Sequence, residues 1–155
     1  MSEARIVRRD EGVQGMDCVF KVTGDETENR FDFMVAEVEY CSGPPLHTHE
    51  TQDDSFYVLE GVLTVQAGDE VSELGPGDFV VVPPGIPHTF DNLKQDQGPV
   101  RAINLMTPGG FDHFMEDLAR VEDPSTLDEA AQDKLHEEHG VRWVGPPLHE
   151  RLGVS

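Results

Sequence analysis

Between Gly77 and His88 the sequence reads Gly-Asp-Phe-Val-Val-Val-Pro-Pro-Gly-Ile-Pro-His, and Asn92 follows four residues later. The run Phe79 to Val82 is apolar and β-branched, which predicts a buried strand. The prolines and the glycine after it exclude a helix and a regular central strand, because proline fixes its own φ and lacks an N–H donor. This rigid segment therefore presents the imidazole of His88 in one fixed direction.

A second block upstream contains a pair of histidines. His47 and His49 are two residues apart, and in an extended chain residues i and i+2 point to the same side. The polar run from Glu50 to Ser55 follows and predicts a loop, although it contains Asp53 and Asp54. Phe56 to Leu59 then predicts a short apolar strand that ends in a turn at Gly61.

Short strand-like runs separated by Gly- and Pro-rich turns fill the rest of residues 1–107. They lie at Ile6–Arg9, Asp17–Val22, Phe31–Cys41, Val62–Ala67, Val71–Leu74, Thr89–Asn92 and Val100–Met106. Strands of this length and spacing predict an antiparallel sandwich or barrel. We therefore predict an all-β barrel domain over residues 1–107, organised around residues 43–92.

The period of the apolar residues changes after Pro108, and residues 108–155 are predicted to form a helical and extended tail. Phe111, Phe114, Met115 and Leu118 share one helical face, which either covers the barrel mouth or packs on the outer sheet. A second helix is predicted from an N-cap at Ser125 to Gly140. The extended segment after it contains Trp143, which we expect to dock on this barrel or on a partner subunit.

The chain is strongly acidic, with 31 Asp and Glu against 11 Lys and Arg and a formal net charge of −20 over 155 residues. Such a field repels nucleic acid and anionic membranes, so neither is an expected partner. The sequence shows no long apolar segment and its first residues do not resemble a signal peptide. Cys18 and Cys41 are predicted to be reduced thiols. A cytoplasmic protein is expected.

His47, His49, Asp54 and His88 are the candidate metal ligands. Imidazole and carboxylate together suit a divalent ion such as iron, nickel, manganese, cobalt or zinc. Four protein ligands leave a coordination position for water, dioxygen or a substrate if the ion is five- or six-coordinate. A His-x-His pair alone occurs by chance, and it is the rigid segment before His88 that makes a metal site the better interpretation.

The two blocks resemble the two conserved motifs of the cupin superfamily. The second motif of that family is matched at every spacing, and the first is matched apart from two positions. The matching residues are Gly77, Pro83, Gly85, His88 and Asn92 in the second motif, and His47, His49 and Gly61 in the first. The resemblance covers about Phe31 to Met106 and implies a double-stranded β-helix, the jelly-roll barrel.

The two departures lie at Cys41, where the family has glycine, and at Asp54, where it has glutamate. Aspartate is shorter by one methylene, about 1.5 Å of reach. Asp54 can still ligate after a small strand shift, Gln52 or Asp53 can replace it, or the site can be a three-histidine one with an extra water. A barrel without any metal is the remaining alternative, since some cupins bind none.

The short layout and the tail resemble small cupins related to quercetin 2,3-dioxygenases. This resemblance implies a metal-dependent oxidoreductase that cleaves a flavonol or a similar aromatic enol, with Asp54 as ligand and candidate base. Phe56, Val58 and Phe90 share the inward parity of the ligands and are the predicted substrate-binding residues, although core packing explains them equally well.

Two other functions stay open at this point. One is a metal-dependent isomerase or decarboxylase of a sugar or keto acid, which needs basic groups; Arg30, Lys94 and Arg101 are the few that the barrel stretch offers. The other is a binding or sensing module without turnover, because a fold does not fix a function. By the same resemblance, a homodimer is expected.

Overall fold

The computed structural model describes residues 3–121 and 127–155. Eleven strands and three α-helices follow one another along these residues, and a 3-10 helix at Gly24–Glu26 lies between the second and third strands: β1 (Val13–Gln14), β2 (Cys18–Val22), β3 (Asp32–Val38), β4 (Pro45–His49), β5 (Asp53–Glu60), β6 (Leu63–Ala67), β7 (Glu70–Leu74), β8 (Phe79–Val82), β9 (His88–Asp91), β10 (Val100–Thr107), α1 (Phe111–Ala119), α2 (Glu129–His139), β11 (Val141–Pro147) and α3 (Leu148–Arg151). No helix in these residues is long and apolar enough to span a membrane.

The strands form two antiparallel sheets. One sheet has the order β1-β2-β3-β10-β5-β8 and the other has the order β11-β4-β9-β6-β7. Neighbours far apart in sequence pair in both sheets, as β10 does with β3 and β5, and β9 does with β4 and β6. This is the predicted all-β double-stranded β-helix with a few short helices, so the expected fold class is confirmed.

Alternating apolar residues fill the space between the sheets. The larger cluster consists of Val38, Phe56, Val58, Leu63, Val65, Leu74 and Val100. A second cluster combines Cys18, Phe20, Met34, Ala36 and Met106 with Phe111 and Met115 of α1. Helix α1 therefore lies against the interior end of the barrel and not on the outside of a sheet, which decides between the two positions expected for it.

The outer face of the six-stranded sheet is apolar in its centre. Val35, Ile103, Tyr57 and Phe79 lie opposite one another across four adjacent strands. Tyr57 is 41% exposed, Phe79 59% and Val81 50%, and β8 is the outermost strand of that sheet. An uncovered apolar face of this kind is typical of an interaction surface.

The tail contributes a strand to the barrel. β11 pairs with β4 so that Val141 lies opposite His49 and Trp143 lies opposite His47. Trp143 also packs against the cluster of Phe114, Leu118 and Val141, so of the two docking sites expected for it the structure has the chain's own barrel. The predicted boundary between barrel domain and tail at residue 107 stays a prediction. β11, which lies beyond that residue, is a strand of one of the barrel sheets.

Three local expectations are wrong. The run Glu50 to Ser55 was expected to be a loop, but β5 begins at Asp53, and Asp54 and Ser55 of this strand are buried. Ile6–Arg9 is not a strand; the first strand is β1. Helix α2 begins at Glu129 with Asp128 as N-cap, whose carboxylate accepts from Ala131 N. Ser125, the expected cap, lies outside the described residues.

Candidate metal centre

Four donor side chains from three strands meet inside the barrel. His47 and His49 come from β4, Asp54 from β5 and His88 from β9, and His47 and His88 are direct partners in the sheet. One ligand atom of each lies within 4.8 Å of those of the others. All four are buried, with 2% to 6% of each residue exposed. The structure thus brings together the set that the sequence singles out.

Backbone carbonyls fix two of the imidazole rings. Nδ1 of His47 donates to Pro45 O at 2.7 Å, and Nδ1 of His88 donates to Ile86 O at 2.8 Å. Each ring therefore carries its proton on Nδ1 and turns the lone pair of Nε2 towards the other donors. Metal-binding histidines are held in the same way by a partner on the second nitrogen.

Nε2 of His47, Nε2 of His88 and Oδ2 of Asp54, which face one another at the centre, are acceptors. Nε2 of His88 lies 2.9 Å from Oδ2 of Asp54, and Nε2 of His49 lies 3.4 Å from the same oxygen. Neither ring nitrogen of His49 has a hydrogen-bond partner, although both are buried. A positive charge between these lone pairs would stabilise them. A shared metal ion supplies it for all of them at once, whereas three protonated rings would repel one another.

The electrostatics of the group suit ligation. Burial, together with the neighbouring His49 and His88, lowers the pKa of His47 to about 3, so its ring stays neutral at ordinary pH. Burial alone would raise the pKa of Asp54, but the imidazoles of His49 and His88 outweigh it and hold that pKa below its usual range. Neutral imidazole and ionised carboxylate are the forms in which these side chains bind a metal.

A fifth residue, Asn104, orients the carboxylate. Its Nδ2 donates to Oδ1 of Asp54 at 2.6 Å and to Ser55 O at 3.0 Å, which leaves Oδ2 turned towards the histidines. Sequence reasoning missed Asn104. Its position in the strand could have indicated it. Ala102, Asn104 and Met106 share the buried face of β10, and a polar amide is unusual among such residues.

Of the alternative carboxylate or amide donors, Gln52 is engaged elsewhere. Its Nε2 donates to Pro108 O at 2.9 Å and so ties the loop after β4 to the turn before α1. Asp53 is the neighbour of Asp54 on an extended strand, so its side chain points to the opposite face. It is not among the grouped donors. Among the ligand sets left open by the sequence, the geometry favours the one that contains Asp54.

The motif residues that are not donors shape the frame around the site. Gly43 passes so close to β9 that a Cβ there would lie 2.0 Å from Phe90 O, so glycine is required. Cys41 has φ of +54°, the left-handed conformation that glycine adopts most easily. Asn92 donates from Nδ2 to Val38 O and Gly98 O and holds the adjoining loop.

The predicted substrate-binding residues lie in the apolar core of the barrel. Phe56 and Val58 are members of the larger core cluster, and Phe90 packs against it with its ring centroid 4.8 Å from that of Phe56. The aromatic ring next to the donors belongs instead to Phe111 of α1, whose centroid lies 5.4 Å from that of His49. A substrate role for the first three stays a prediction.

Comparison with known proteins gives the same picture. Residues 34–106 match the Cupin_2 family, described as a cupin domain. Quercetin 2,3-dioxygenase of Bacillus subtilis is 27% identical over 104 residues, which are 66% of this chain but only 30% of that protein. The chain therefore spans less than a third of the length of this relative.

Two solved structures share the fold. A protein from Klebsiella pneumoniae with a double-stranded β-helix domain superposes with a TM-score of 0.54 at 20% identity, over 70% of this chain and 93% of its own. KdgF from Halomonas sp. superposes with a TM-score of 0.50 at 25% identity, over 55% of this chain and 74% of its own. With both cupin motifs inside the matched stretch, this chain carries a cupin domain at residues 34–106.

Proposed function

We propose that the protein is a metal-dependent dioxygenase that acts on a planar aromatic enol of the flavonol type. The observation that carries the metal is the meeting of three buried imidazoles and one buried carboxylate, with two rings oriented by backbone carbonyls and both nitrogens of His49 without a hydrogen-bond partner. The similarity to quercetin 2,3-dioxygenase supports the reaction class. When bound, a divalent transition metal supplies Lewis acidity and, for a redox-active ion, an electron path to dioxygen.

In this proposal His47, His49 and His88 would hold the ion, and Asp54 would complete the set. The carboxylate of Asp54 also accepts the proton of the substrate hydroxyl. Its pKa below the usual range keeps it ionised but makes it a weak base. An acidic enol hydroxyl is therefore a better match for it than an aliphatic alcohol, because proton transfer is efficient when donor and acceptor pKa values are close.

The isomerase or decarboxylase alternative receives less support. Substrates of that kind are anionic or polar and need a cationic partner in the pocket. Arg30, Lys94 and Arg101 form ion pairs with the exposed carboxylates of Glu28, Glu73 and Glu60, at 3.9, 3.2 and 3.1 Å respectively. These three basic residues of the barrel stretch are thus directed to the surface.

Metal analysis of protein purified without added metal tests the site, and oxygen consumption tests the reaction. We expect about one equivalent of a divalent transition metal per chain and oxygen uptake on addition of quercetin. His88→Ala should abolish metal retention while the barrel stays folded, whereas His136→Ala, which removes an imidazole from α2, should retain it.

The outcomes separate the alternatives. Less than about a tenth of an equivalent of metal, with none taken up on soaking, would refute the metal centre. Full metal in His88→Ala would refute the ligand assignment. Metal without oxygen uptake would refute the dioxygenase and leave the isomerase and the binding module.

A further inference from the structure

Helix α1 begins directly above the metal centre, and its first side chain closes the site. The ring of Phe111 meets that of His49 edge-on, with an interplanar angle of 72°. Phe111 also packs against the buried cluster that includes Met34 and Met106. His49, beneath it, is 2% exposed. A small molecule that reaches His49 from this side must therefore displace the ring of Phe111.

A cleft lies immediately outside this ring. It has a volume of about 330 Å³, and its lining combines the aromatic rings of Phe111 and Phe114 with the polar side chains of Gln52, His113, Glu138 and His139. Apolar walls with a few polar groups are typical of small-molecule sites of this size. Stacked rings, such as those of Phe111 and Phe114 at 5.4 Å, favour a flat ligand.

The backbone on which Phe111 stands is anchored independently of its ring. Asp32 is fully buried, and its carboxylate accepts from Gly110 N at 3.1 Å and from Phe111 N at 2.8 Å. Gln52 holds Pro108 O from the other side. The ring can thus rotate about its own side-chain bonds while the start of α1 stays in place.

We propose that this cleft is the entrance and outer subsite for a flat aromatic ligand that carries hydroxyl groups, and that Phe111 is the gate between it and the metal centre. The ligand class rests on the proposed function; the gate does not. Phe111 is thereby a specificity-determining residue, because the size of its side chain sets what passes to the histidines.

Diethyl pyrocarbonate, which modifies neutral imidazole nitrogens, tests the gate in the full chain after chelator treatment. In Phe111→Ala we expect the rate of His49 modification to rise about tenfold or more, because the reagent can reach His49 without a local opening of the protein. Phe111→Leu should give an intermediate rate and Phe111→Trp a rate no higher than wild type. His136, distant in sequence on α2, serves as the internal reference, and circular dichroism checks the fold.

Equal His49 rates in the wild type, Phe111→Ala and Phe111→Leu would overturn the gate. So would a parallel rise at His136, which would indicate general loosening instead of a local opening. Neither measurement requires a bound metal or turnover, so a failure of the gate is distinguishable from a failure of the proposed dioxygenase.

Quercetin binding tests the cleft. Glu138→Trp places a large ring in it and should raise the Kd for quercetin about tenfold or more, as expected for an overfilled site. Glu137→Trp, one residue earlier on the same helix, should leave it unchanged. Equal Kd values for the two variants would overturn the cleft as the subsite. An absence of quercetin binding to the wild type would overturn the ligand class, with the gate decided separately by the modification rates.

Discussion

Replacement of Asn104 by leucine should weaken metal binding without removing any ligand. The amide of Asn104 donates to Oδ1 of Asp54 at 2.6 Å, and the two residues are only 8% and 3% exposed. A buried hydrogen bond to a charged acceptor contributes about 1.5–3 kcal/mol. Without it, Oδ1 has no donor and the carboxylate is free to rotate away from the histidines.

The expected loss in metal affinity is therefore about tenfold to a hundredfold, the range found when an outer partner of a metal ligand is removed. The affinity is measured by competition between the protein and a chromogenic chelator for zinc. With cobalt bound, a change in the visible absorption bands should accompany the loss, because the geometry of the carboxylate changes.

A buried amide elsewhere in the barrel supplies the matched control. Gln66 on β6 is 4% exposed, and its Nε2 donates to Gly68 O at 2.9 Å. Gln66→Leu should lower the thermal stability but leave the zinc affinity unchanged. The reasoning is refuted if Asn104→Leu binds zinc as tightly as the wild type, or if Gln66→Leu weakens binding by as much.

Three further outcomes are expected. Burial and the adjacent carboxylate of Asp17 raise the pKa of the Cys18 thiol to about 12, so iodoacetamide at pH 8 should label Cys41 and spare Cys18 until the protein unfolds. Because the unfolded thiol loses its proton first, stability should also fall as the pH rises from about 9 towards 12, and a Cys18→Ala variant that kept this fall would contradict the assignment. If the predicted homodimer uses the apolar outer face of the six-stranded sheet, Phe79→Lys should shift sedimentation equilibrium towards the monomer, and an unchanged mass would count against that face. Cys41→Gly should keep or raise the thermal midpoint, since relief of about 1–2 kcal/mol of left-handed strain offsets the extra freedom of the unfolded glycine; a clear drop would show that Cys41 is not strained.

The local sequence was enough to predict the strands in which apolar and polar residues alternate, and the turns that contain glycine or proline. The segment before His88 was predictable because proline leaves few conformations, and the inward direction of His47 and His49 followed from their spacing alone. The resemblance then fixed the fold, since two motifs at the right separation are far more specific than either one.

What sequence reasoning missed depends on contacts between distant residues. Asp54 was expected in a loop because a polar run is typical of a solvent-exposed loop, whereas Asp54 lies on a strand and its carboxylate belongs to the buried site. Asn104 and Phe111 reach the centre from β10 and α1, elements that have no motif of their own. Phe56 belongs to the core cluster and Phe90 packs against it, which fits the core-packing alternative, and their role in substrate binding stays a prediction.

The pairing of β11 with β4 means that the histidine strand is an inner member of its sheet. A fragment limited to the matched stretch, residues 34–106, would make that strand the rim of the sheet and uncover its row of peptide N–H and C=O groups. His47 and His49 would then lie on an exposed edge strand that can pair with other chains. The residues after Gly140 therefore hold β4, and with it the side chains of His47 and His49, in position. Proteolytic cleavage of this segment should cause loss of the metal before the barrel unfolds.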